Sequence, residues 1–281
     1  MTGFAILALL ASVLLGVSDF LGGTLARKVP LLAVLVLSQL VATIMVLPRL
    51  FWPEPGGDVG QAVLWGVVGG VAVAVGVSSL YQALAIGTMG VVAPIAALSV
   101  LVPVVAGIAS GDPLGPLLIA GMAVAVIGTV LASGPEVRKG AGRGGALPIL
   151  LALLAAAGFG VSNLTLAWGS AHNLTATLLG NSVTALVIYL IAAAATRTVP
   201  RASGWPLVGI VAIGVLGFAA NLCFALASLS GLLSVVAVFA SLFPAVTALL
   251  GWWVHKERLS LLQAGGVLLV FAGVGVIAAS T

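Results

Sequence analysis

Long apolar runs, broken at near-regular intervals by charges and by Pro/Gly clusters, fill this chain. A helix that crosses a bilayer needs about 20 mainly apolar residues, and the interruptions fall at that interval. The pattern predicts ten spans, at roughly 3–26, 31–50, 60–85, 90–110, 115–133, 147–169, 174–196, 205–228, 232–253 and 260–279. Most connections are tight, such as Gly-Thr-Met-Gly at 87–90 and Ser-Leu-Ser-Gly at 228–231. The exception is the polar, glycine-rich stretch 134–145, read as a flexible linker. It divides the chain into a first five-span unit, 1–133, and a second, 146–281. No interval between spans is long enough for a soluble domain.

Composition removes the rival classes. Of 281 residues, 62% are hydrophobic and 6% charged, whereas soluble domains carry about 25% charged residues. Sixteen charged side chains cannot cover a water-facing surface of this size, so the surrounding solvent is lipid. The expected fold class is an all-α integral membrane protein of about ten helices. The net charge of +4 is too dispersed for a nucleic-acid footprint. Segment 1–26 lacks a basic n-region and is read as the first span, not as a cleaved signal.

Basic residues instead mark topology. The odd-numbered loops hold Arg27, Lys28, Arg138, Lys139, Arg143, Arg197, Arg201, Lys256 and Arg258, and the even loops only Arg49. Lys and Arg collect on the cytoplasmic side, so the odd loops are expected in the cytoplasm and both termini outside.

The two units echo each other. Gly16-Val17-Ser18-Asp19 matches Gly160-Val161-Ser162-Asn163, Ala83-Leu84-Ala85 matches Ala225-Leu226-Ala227, and Leu101-Val102-Pro103 matches Leu242-Phe243-Pro244. Gly121 and Gly128 then match Gly266 and Gly273. A unit with an odd number of spans, repeated in tandem, is inverted in its second copy. Secondary transporters reuse this arrangement, with the site near the midplane between repeats.

Phe224-Ala225-Leu226-Ala227, Phe243-Pro244-Ala245, Lys256-Glu257-Arg258-Leu259-Ser260 and Gly265-Gly266 together resemble the C-terminal part of an EamA domain. The chain is thereby similar to the EamA branch of the drug/metabolite transporter superfamily, with two EamA units. That resemblance implies a ten-helix bundle around a central cavity in a bacterial inner membrane. It also implies secondary transport of a small metabolite, with amino-acid export the leading expectation and drug or organic-cation efflux, or metabolite uptake, the alternatives. The first unit departs from the pattern at Asp112-Pro113, and no role is assigned to that carboxylate.

Candidate chemistry centres on Asp19, the only ionisable residue well inside a span. Such residues usually face the bundle interior and mark a pathway. Ser12, Gly16, Asp19 and Gly23 form one small or polar face, and the repeat places Asn163 where the first unit has Asp19. Ser78, Tyr81 and Gln82 share a helix face by i, i+3, i+4 spacing. With Asn163, Asn221 and Ser241 they complete the expected solute-binding set, while Gln39 and Asn181 are weaker candidates. Pro103 and Pro244 lie within the fourth and ninth spans as expected kinks or gates. Trp168, Trp252 and Trp253 read as interfacial anchors.

His172, His255 and Cys223 are too scattered for a metal site, and no cofactor is expected. No base accompanies a nucleophile at membrane depth, so an intramembrane enzyme is disfavoured; a non-transporting scaffold is the remaining rival. The expected partners are the bilayer and a small solute, with a proton as candidate coupling ion. One copy of the chain suffices for a complete pathway.

Overall fold

The computed structural model describes residues 3–26, 28–52, 54, 57–86, 92, 95–132, 146–255 and 261–280. The linker 134–145 and the loops carrying Arg27, Gly87–Gly90 and Lys256–Ser260 fall outside them. Among the described residues the named α-helices are α1 (Gly3–Leu25), α2 (Leu31–Val46), α3 (Val59–Ile86), α4 (Leu101–Ala109), α5 (Pro116–Ala132), α6 (Ala146–His172), α7 (Leu174–Ala195), α8 (Trp205–Ser228), α9 (Leu233–Ala240), α10 (Phe243–His255) and α11 (Leu261–Ser280). Among the described residues there is no strand. Many of these positions are glycine, valine or isoleucine, poor helix formers in water. In hydrocarbon, however, a backbone without internal hydrogen bonds has no other partner, and lipid overrides propensity.

Among the described residues six helices are long and apolar enough to cross a membrane, while the apolar helical stretches Ile95–Ala109, Pro116–Leu131, Leu233–Thr247 and Ala264–Ile277 are shorter. The short ones occupy the fourth and fifth places of each half. Each of the ten expected spans is thus mainly helical over its described residues.

Pro103 and Pro244 do not bend a continuous helix. Each lies in the first turn of a new one, where a missing N–H removes no helical bond. A 3-10 turn, Leu98–Val100, precedes α4, and Ser241–Leu242 separate α9 from α10. The fourth and ninth spans are thus both broken just upstream of their proline.

Packing exchanges helices between the halves. α1 and α2 pack on α8, and α1 also meets α9 and α10. The mirrored set is α6 and α7 on α3, with α6 also meeting α4. α5 and α11 pair with each other at one side. Glycines set these approaches, because small residues let helices close up where lipid offers no hydrophobic driving force. A Cβ on Gly16 would lie 2.8 Å from the Phe243 carbonyl oxygen, and one on its counterpart Gly160 would lie 2.7 Å from that of Ser99. Thr247 Oγ1 also donates to the Gly16 carbonyl at 3.0 Å. Two mixed bundles result, α1/α2/α8/α9/α10 and α3/α4/α6/α7.

Candidate functional site

Between the two bundles lies a narrow cavity of about 100 Å³. One wall comes from α1, α2, α8 and Phe243, and the other from α3, α6 and α7. Its apolar lining includes Phe159, Phe218 and Phe243. Phe159 and Phe243 meet edge to face, with ring centroids 6.2 Å apart, and so join the bundles across mid-depth.

Asp19 lines this cavity from α1, at 6% exposure, and its Oδ2 has no hydrogen-bond partner. A buried carboxyl without a partner is costly, and it is poised to accept one from a solute. The wall around it supplies hydroxyls and amides: Ser18, Ser38 and Gln39 on its own side, and Tyr81, Ser162, Asn163, Ser182 and Tyr189 opposite. Asn221 completes the α8 edge. No Lys, Arg or His is among the described lining residues. Several of these groups also hold the wall together. Ser18 Oγ donates to the Ile213 carbonyl at 3.3 Å, joining α1 to α8, and Gln39 Nε2 reaches the Ser182 carbonyl at 3.3 Å across the bundles.

Four of the seven expected solute-binding residues, Asp19, Tyr81, Asn163 and Asn221, lie together on this cavity. The other three lie elsewhere. Gln82 is exposed, because the face of α3 turned to the cavity runs through Val73, Val77 and Tyr81, and Gln82 follows about 100° further round. Ser78 donates to the Ala74 carbonyl at 2.7 Å and Ser241 to that of Val238 at 2.8 Å, so both hydroxyls serve their own helices. Asn181 is buried beside the cavity, 3.5 Å from Ser162 Oγ. Trp168 meets Trp65 edge to face at 5.2 Å in addition to reaching the surface.

Ser18, Ser38, Ser162, Ser182 and Tyr189 are cavity residues that the sequence reading did not single out. Tyr189 had a signal, being one of two tyrosines and inside a span. The serines had none beyond their neighbours.

Comparison with known proteins fits this architecture. Residues 146–279 match the model of the EamA-like transporter family. Curated proteins yielded no match. The crystal structure of a protein 18% identical to this chain aligns over 100% of it and 98% of its own length, with a TM-score of 0.78. At that identity the likeness speaks to fold alone. The family match covers the second unit, and the all-helical, membrane-length architecture is consistent with an EamA-type transporter of the drug/metabolite transporter superfamily.

Proposed function

We propose that the chain is a secondary transporter that carries a small nitrogenous solute by alternating exposure of the cavity between its two mixed bundles. The observation that carries this reading is the unpartnered, buried Asp19 carboxyl facing that cavity. A protonated amine satisfies it, and Tyr81, Asn163, Asn221 and Gln39 offer the remaining donors and acceptors. An amino acid fits if its carboxylate is held by these amides. Sites for drug-sized ligands run to roughly 300–1,000 Å³, so the cavity is in a contracted state and the bundles part to admit the solute. The two units, 1–133 and 146–281, each contribute helices to both bundles, which supports treating them as inverted copies. The Lys/Arg distribution supports odd loops on the cytoplasmic side; export across a bacterial inner membrane is the direction proposed.

A second reading has its own support. The described lining contains a carboxylate and aromatic rings but no basic side chain, which favours an organic cation lacking a carboxylate. Proteoliposome counterflow with amino acids, monoamines, sugars and nucleotides tests both. Acceleration by amino acids supports the first reading, and acceleration by monoamines alone supports the second. If no member of the panel is accelerated over empty liposomes or shifts thermal unfolding, the solute reading is wrong.

A further inference from the structure

The loops that follow the spans give two helices of the opposite bundle their N-terminal caps. α7 starts after Asn173, whose side chain accepts from Ala176 N at 2.8 Å. Its second residue, Thr175, is taken by Glu54 from the chain leaving α2. Thr175 N donates to Glu54 Oε2 at 3.1 Å, and Thr175 Oγ1 donates to Oε1. Arg49 binds both partners, donating to Glu54 Oε1 at 2.8 Å and to Thr175 Oγ1 at 3.2 Å.

α9 repeats the device. It starts after Leu232, which brings no polar cap of its own. Its second residue, Ser234, donates N–H at 3.0 Å and its hydroxyl to Asp112 Oδ2, on the chain leaving α4. A Cβ on Gly107 would stand 2.6 Å from that oxygen, so the glycine leaves room for the carboxylate. Both sites pair a carboxylate with the N–H and hydroxyl of a helix's second residue. Carboxylates are favoured at helix N-termini by the helix dipole and by the free N–H groups there.

Each carboxylate crosses from one bundle to the other, and both do so on the even-loop face. On the opposite face, two places that the described residues include lack the device. α2 starts after Pro30 with no side-chain cap, and the turn after α7, residues 196–204, carries Arg197 and Arg201 and no carboxylate.

We propose that Glu54 and Asp112 are a paired lock that holds the even-loop face shut, so that its release is the step that opens the cavity to that side. This rests on the transport reading above, because it assigns the lock to one end of an alternating pathway. Opening the even-loop face separates α2 from α7 and α4 from α9, and the bonds from Arg49 and Glu54 to Thr175 and from Asp112 to Ser234 break together.

The test places a reporter cysteine, Ser182→Cys, on the cavity wall of a Cys223→Ser protein. A membrane-impermeant maleimide is then applied to sealed vesicles of each orientation. In the Glu54→Gln/Asp112→Asn protein, labelling from the even-loop face rises about tenfold, as expected for losing charge-assisted bonds, and labelling from the odd-loop face does not rise. Unchanged even-face labelling overturns the proposal. So does a rise on both faces, which marks a loosened fold and no shift between states. The readout needs no solute. A labelling shift without transport leaves the lock standing and removes the transport reading, whereas transport with unshifted labelling removes the lock alone.

Discussion

The Tyr81 hydroxyl on α3 fills the space that a side chain on Gly22 of α1 would need. The contact joins the two bundles near the odd-loop end, one helical turn beyond Asp19. The phenol is buried, so its tip can move aside only by disturbing the packing around it. Gly22→Ala is therefore expected to displace Tyr81 and to cost about 1–3 kcal/mol of stability, the usual range for overpacking. The same change in a Tyr81→Ala protein should cost little. Thermal unfolding of the two single variants and the double variant measures this coupling; additive effects would show that the contact does not matter.

Asp19 separates stability from function. Its Oδ2 lacks a partner in a buried setting, so the carboxyl contributes no bond there to the fold. Asp19→Asn should leave the unfolding temperature unchanged or higher, because it removes a charge that is costly to bury. Solute counterflow should fall by tenfold or more, the scale of losing a charge-assisted bond of about 1.5–3 kcal/mol. Equal rates in wild type and variant at every pH would remove Asp19 from the solute path.

The Glu54 lock has a pH sign. Burial opposes its ionisation, but the hydrogen bonds from Thr175 and Arg49, with the Arg49 charge, outweigh burial and hold its carboxyl below the usual value. Released from the lock, it returns to an ordinary value of about 4.3. The lock is therefore at full strength above that value and weakens as pH falls through the depressed one. Among the described residues, Arg49 and His172 are the other charged or titratable side chains lining the adjoining cleft. Spin labels at Ala171→Cys and Leu229→Cys should move apart on acidification into the carboxylate range. In Glu54→Gln they should stand apart already at neutral pH. Labels equally close at all pH values in both proteins would contradict this.

α5 and α11 test the glycine packing away from the cavity. A Cβ on Gly128 would stand 2.6 Å from Val270 N, and one on Gly273 would stand 2.5 Å from Ala125 N. Backbone cannot yield as a side-chain tip can. Gly128→Val and Gly273→Val should each lower stability by about 1–3 kcal/mol. Neither residue lines the cavity, so protein that survives should bind solute with unaltered affinity. Thermal unfolding and equilibrium binding on the same preparation check both halves of this expectation.

The ten spans were legible because lipid permits so few alternatives. Asp19 was legible because a carboxyl inside a span is rarely tolerated without use. Asn163 followed from the repeat and Asn221 from its depth in a span. Gln82 shows where the reading stopped. Helical spacing puts it beside Ser78 and Tyr81, but which stripe of α3 faces inward is set by α6 and α7, more than 60 residues away. The exchange of helices between halves was hidden for the same reason. So were the caps at Thr175 and Ser234, whose carboxylates lie 121 and 122 positions upstream. Locally, Glu54 and Asp112 look like any hydrated loop residue.

The exchange of helices also has a consequence for biogenesis. α1 finds its main partner in α8, which begins some 180 residues after α1 ends. At about 5–20 residues per second of synthesis, α1 waits roughly 10–40 s in the bilayer for that partner. Throughout that interval Asp19 faces lipid or the insertion machinery, at a cost of roughly 2.5–3.5 kcal/mol on insertion scales. The side chain best suited to hold a solute is thus the one that makes the nascent chain hardest to keep in the membrane, and the late arrival of α8 ends that exposure.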